Sequence, residues 1–161
     1  MTRWMSVVAI IGLGVATVGN SATERTRTTV PIEGDSELIS THVVVHIQTR
    51  KLSGTETQPP KSVPGGGRRN QVERLEVLID GARLFVPDSV FCDLTDVQEA
   101  DLRHGQKGPI LTLIGGDASE SYKVTIEFDG RSAIRRMVES TLMPRAVTQE
   151  SRYYLPELKD E

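Results

Sequence analysis

The chain has 161 residues, with 19 Lys+Arg against 22 Asp+Glu, 4% aromatic residues and a single cysteine. These figures accommodate one ordinary domain. They exclude a multi-spanning membrane protein, a disulfide-stapled mini-protein and a basic nucleic-acid binder.

Residues 1–22 have the three-part layout of a secretory signal. Arg3 and the amino terminus supply positive charge, and an uncharged apolar run follows from Trp4 to Val18. Gly19, Asn20, Ser21 and Ala22 then offer small residues for cleavage, after Ala22 or after Ser21. A membrane anchor is the competing reading, but the run of about 15 residues is shorter than a span requires, and Gly12 and Gly14 weaken a long helix. A core helix is the third reading, and no polar face patterns it. Arg3 is the only charged residue of 1–22, so the remaining chain carries 18 basic and 22 acidic residues, net −4. Such a chain has no general attraction to nucleic acid or to anionic lipid.

Residues 23–40 show no periodicity and read as a flexible arm. At 41–49 three consecutive valines favour a strand. Val43, Val45 and Ile47 share one face; His42, Val44, His46 and Gln48 share the other. Residues 50–71 hold Pro59-Pro60, Pro64 and Gly65-Gly66-Gly67, a composition that reads as a disordered loop between two strands or as a linker. Alternation returns with Leu75, Val77 and Ile79, then Asp80-Gly81, then Ala82, Leu84 and Val86. Asp-Gly between two alternating runs signals a hairpin, because both turn positions favour positive φ. Pro87 ends the second arm, and Asp88 or Ser89 starts a short turn through Val90, Phe91 and Leu94.

Residues 95–104 predict a short surface helix. Thr95 and Gln98 have capping-box spacing, Asp96 and Glu99 fall in the first turn, Arg103 and His104 in the last, and Gly105 follows. Residues 110–114 predict a strand, and 115–120 a loop. Tyr122, Val124, Ile126 and Phe128 form one face of the clearest strand in the chain. Asp129-Gly130 gives a second hairpin turn, and a further strand runs over 132–142, where helical spacing is the weaker alternative. The expected fold is mainly β: a small antiparallel meander of five or six strands with one short helix, its domain spanning 41–155 and a polar tail at 156–161. The helix, the Phe85/Phe91 region or a second layer of sheet must cover its apolar face.

Each chemical motif has a plain structural counterpart. His42 and His46 have the spacing of a helical zinc pair, but on a strand their rings are about 13 Å apart. The loop from Gly115 to Ser121 resembles the start of a calcium loop, yet Tyr122 and Phe128 stand where Gly and Glu are needed. No Gly-Lys-Ser/Thr follows it as in a phosphate loop. Gly-x-Ser-x-Gly is absent. Cys92 reads as a buried apolar thiol. Arg131, Arg135, Arg136 and Arg145 bring local positive charge, with Arg135 and Arg136 on opposite strand faces and Glu127 in reach across the hairpin. Tyr153 and Tyr154 read as a docking point or as a pin for the chain end.

These observations point to an exported, non-catalytic β-rich protein that acts by binding in the cell envelope or exterior, in the periplasm or the medium. The candidate binding residues are Asp117, Ser119, Tyr122, Arg135 and Arg136. The alternative is a small exported hydrolase using the Gly115–Ser121 loop and His104. No cofactor or metal is implied. The expected partner is another envelope or extracellular protein, with no nucleic acid and no stable membrane insertion after signal cleavage.

Overall fold

Alternating apolar residues build the strands of this protein, and the strands divide between two sheets. The computed structural model describes residues 27–32, 34–52, 70–117, 120–143 and 145–155. The signal segment expected at 1–22, most of the Pro/Gly-rich stretch (53–69), Ser119 and the tail at 156–161 lie outside the described residues.

A four-stranded antiparallel sheet runs in the order β2 (Asp35–Ser40), β3 (Val43–Lys51), β4 (Asn70–Ile79), β5 (Ala82–Arg83). Leu38 lies opposite Val45, and Val45 opposite Val77; all three are fully buried. The valine-rich segment therefore holds its expected register, with Val43, Val45 and Ile47 inward. β3 and β4 extend to Lys51 and from Asn70, so the ends of the 50–71 stretch belong to strands.

The β4–β5 turn is the expected one: Ile79 pairs with Ala82, and Asp80 and Gly81 have φ of 51° and 79°. The second Asp-Gly turn works differently. Gly130 is not in the left-handed region; the Asp129 carboxylate accepts from the backbone N–H of Arg131 at 2.7 Å and of Ser132 at 2.8 Å. Gly81→Ala is therefore expected to destabilise by about 1 kcal/mol. Gly130→Ala, with open space around its Cβ, is expected to fall within about 0.5 kcal/mol of wild type. Urea unfolding of the two variants checks this; equal losses would mean that both turns depend on glycine.

The six-stranded sheet runs β1 (Arg27–Pro31), β6 (Val97–His104), β7 (Pro109–Gly115), β8 (Tyr122–Phe128), β9 (Ala133–Ser140), β10 (Val147–Arg152), all antiparallel. β6 to β10 are a meander, while β1 reaches β6 across the chain. Between β1 and β2 the chain passes from one sheet to the other, with Ile32 buried and its N–H donated to the Gln98 carbonyl at 2.9 Å. A second crossing follows β5: Phe85 donates to the Arg131 carbonyl and accepts from the Ala133 N–H, joining the end of β9.

Three sequence expectations change. The single meander of five or six strands is two sheets, because a 10-residue β4 and a 9-residue β3 bury a face of their own. Residues 27–31 and 35–40 of the expected arm are strands paired with β6 and β3. The helix expected at 95–104 is β6, and no α-helix occurs among the described residues. Ala100 and Leu102 alternate with Glu99, Asp101 and Arg103, and pairing with both β1 and β7 selects this period over the helical one. The polar 147–152 segment is β10, paired with β9 along a sheet edge.

The facing sides share one continuous core. Leu111, Leu113, Val124, Ile126 and Phe128 come from one sheet, and Leu38, Val45, Ile47, Val72 and Val77 from the other. Burial of each such side chain stabilises by about 1.5–3 kcal/mol. A short 3-10 turn (Asp88–Val90) and the segment after it add Val90, Phe91 and Leu94 to that core. The class is an antiparallel β sandwich, in which one sheet covers the other.

Candidate functional site

The residues singled out by sequence do not converge on one place. Asp117 is exposed between β7 and β8, where its carbonyl accepts the Glu120 N–H at 2.8 Å. The glycines before it serve packing: Gly116 has φ +77° and donates its N–H to the Asp96 carbonyl, and Gln98 Nε2 donates to the Gly116 carbonyl at 2.6 Å. An anion cradle needs free N–H groups, and this one is used within the fold.

Tyr122 is 3% exposed and donates its hydroxyl to the Thr95 carbonyl. Burial, with Asp93 and Asp96 adding to it, pushes the Tyr122 phenol far up from its ordinary value. It is held neutral and does not titrate as an acid or base. Arg136 faces the core opposite Ile126, and its Nη2 forks onto both Asp93 carboxylate oxygens at 2.9 and 2.8 Å. Arg135 points to the outer face, as expected from strand alternation. There it contacts Glu127 at 3.5 Å, across the hairpin, and Glu150 at 3.1 Å. Tyr122 and Arg136 are thus internal supports, while Asp117 and Arg135 are accessible on different parts of the surface.

The two parts of the hydrolase reading are separated by the ladder. His104 pairs with Pro109 and Val97 with Gly115, at opposite ends of the β6–β7 hairpin. Six residue steps along β7 separate Pro109 from Gly115, roughly 20 Å. His104 is not a helix cap; its ring lies edge-on to that of His42, with centroids 5.5 Å apart.

Cys92 corrects another expectation: it is exposed, and unpaired by disulfide. The surrounding 88–94 segment turns its apolar side chains Val90, Phe91 and Leu94 inward, leaving Cys92 outward. Partial burial of the sulfur, reinforced by the charges of Asp93 and Asp88, pushes the thiol pKa up. The thiolate fraction is therefore small. Alkylation by iodoacetamide at about pH 8 is expected to be slower than for a free cysteine of ordinary pKa, and to accelerate above that pH. A rate equal to the free thiol would contradict the stated environment.

The outer face of the four-stranded sheet gathers a constellation that sequence reasoning misses. Cross-strand register builds it in rows. Ile39, Val44 and Leu78 form an apolar row, with Ile39 56% exposed. Glu37, His46 and Glu76 form the next, and Asp35, Gln48 and Arg74 the third. The last two rows line a shallow, open trough. His46 Nδ1 lies 3.2 Å from Glu37 Oε1, and Glu76 receives Arg74 and, at 2.9 Å, Arg83. The Arg74 hydrogen bond, with Arg83 and His46 behind it, holds the Glu76 carboxyl below its ordinary range. The sequence signal is the alternating set His42/Val44/His46/Gln48, of which Val44, His46 and Gln48 lie on the outer face of β3; its partners become apparent only with the pairing of β2 and β4.

This trough offers charges of both signs beside an apolar ledge. Among the described residues that line it there is no thiol, and the only hydroxyl side chain is that of Ser36. Among the described residues no group of three or more His, Cys, Asp or Glu is placed to hold a metal ion. No helix among them is long and apolar enough to cross a membrane.

Comparison with known proteins adds no further assignment: no family model, no curated protein and no solved structure matches this chain.

Proposed function

We propose that the protein is an exported, non-catalytic β sandwich that binds a polar segment of another envelope or extracellular protein on the outer face of its four-stranded sheet. Export is supported by the sequence of residues 1–22. Binding is supported by one observation above the rest: the Glu37–His46–Glu76 and Asp35–Gln48–Arg74 rows line an open trough beside the exposed Ile39. Mixed charge beside an apolar ledge suits an extended peptide, whose side chains present both kinds of group at alternating positions.

A photo-crosslinker at Gln48 is expected to capture a specific partner in cells, and one at exposed Thr148 on β10 is not. Ile39→Asp is expected to abolish the Gln48 product. Equal capture at both positions, or none at Gln48, overturns the binding face. Mass spectrometry of the mature N-terminus tests export separately: a start at Ala22 or Thr23 supports it, and an intact Met1 overturns it.

A further inference from the structure

We propose that His42 and His104 form a two-histidine site for a divalent transition-metal ion of the class that imidazole suits, Zn2+, Ni2+ or Cu2+. His42 stands in the two-residue turn between β2 and β3, and His104 ends β6. The two therefore belong to different sheets, 62 positions apart in the chain, and only the packing of the sandwich brings them together. Both side chains are exposed. Their ring centroids are 5.5 Å apart, with ring planes inclined at 62°.

That separation is the one a shared ion needs. A metal–nitrogen bond of about 2.0–2.1 Å places the ion roughly 3.2 Å from the ring centre. Two rings on one ion are then about 4.5–5.5 Å apart, for nitrogen–metal–nitrogen angles between a right angle and a trigonal one. Both imidazoles are exposed, and the site requires their rotation about χ2 to turn a nitrogen of each toward the common point. Water completes the coordination, so the ion exchanges readily, unlike one in a closed four-ligand structural site. A bound ion bridges the two sheets at the end opposite the Gly115 turn and stabilises the folded chain by mass action.

The remaining histidine of the three in the chain, His46, lies on β3 beside Glu37 and serves as the internal control. Titration of the untagged full-length chain with ZnCl2, NiCl2 and CuCl2 by calorimetry is expected to give one ion per chain with micromolar affinity, and Zn2+ is expected to raise the unfolding temperature. Loss of a residue that merely supports a metal ligand weakens binding about 10–100-fold; His42→Ala and His104→Ala are each expected to lose at least that much. His46→Ala is expected to bind like wild type. Paramagnetic Ni2+ should broaden the ring signals of His42 and His104 and spare those of His46. Absence of binding below millimolar concentration overturns the proposal. So does unchanged affinity in either single variant, or an equal loss in His46→Ala.

Discussion

Arg136→Ala is expected to lower the unfolding free energy by about 3–5 kcal/mol, because it leaves a largely buried carboxylate without its counter-charge. The Arg136 side chain is 1% exposed, and that of Asp93 15%. The pair ties β9 to the segment that closes one end of the core. Gln149 on β10 adds a longer contact at 3.4 Å, while Arg136 Nε is buried with no hydrogen-bond partner. The pair is thus incompletely satisfied, and its apolar replacement follows a different course. The double variant Arg136→Met/Asp93→Leu is expected to recover most of the loss, since neither charge then remains to be desolvated. Urea unfolding of the two single variants and the double variant completes the cycle. A double variant as unstable as Arg136→Ala would show that the ion pair itself holds the fold.

The same pair has a pH signature. Burial pushes the Asp93 carboxyl up from its ordinary range, and Arg136 pulls it only part of the way back. A carboxyl with a raised folded pKa binds its proton more tightly in the folded chain. Its contribution is therefore present below the unfolded pKa and is lost as pH rises through the folded one. Arg136→Ala removes the restoring charge, so its stability is expected to fall more steeply with rising pH than that of wild type. Parallel stability–pH curves would contradict this coupling.

Gly116→Ala is expected to cost about 2–3 kcal/mol, more than most single substitutions outside the apolar core. Two effects add. The residue has φ +77°, and an added Cβ would lie 2.4 Å from the Glu120 carbonyl oxygen and 3.1 Å from the Ser121 Cα. Both neighbours are main chain, so relief requires the β7–β8 connection to open. Gly34→Ala supplies the comparison, with φ +65° and nothing within 4 Å of the new carbon. It is expected to cost only the conformational part, about 1 kcal/mol. Thermal unfolding of the two variants separates close approach from backbone conformation; equal shifts would mean that the connection yields freely. The conspicuous glycines of the 115–121 loop are therefore explained by the tight return of the chain beneath Tyr122.

Strands with a one-sided burial pattern are legible in the order of residues alone. Val43/Val45/Ile47 and Tyr122/Val124/Ile126/Phe128 alternate so regularly that one face must go inward, and Asp80-Gly81 supplies the residues its turn conformation requires. The 97–104 segment misleads because Leu94, Val97 and Ala100 follow helical spacing while Ala100 and Leu102 follow strand spacing. Local pattern is ambiguous there, and hydrogen bonding on both sides resolves it. β1, β2 and β10 are hidden for a different reason. They lie at sheet edges, so pairing rather than apolar periodicity defines them.

The site is legible only in part. Alternation alone places Arg135 and Arg136 on opposite faces and Glu127 within reach across the hairpin. That Arg136 points inward depends on Asp93, 43 residues away, being available to compensate its charge. The histidines show the same division. Their number, their imidazole chemistry and the strand character around His42 and His46 are properties of the sequence. The contact of His42 with His104, and the rows that set Glu37 and Glu76 beside His46, come from tertiary structure. Periodicity specifies which side of a strand seeks the core, because burial of apolar surface is a local property of each side chain. Which strands become neighbours depends on the shared core of two sheets, and that free energy exists only when distant segments meet.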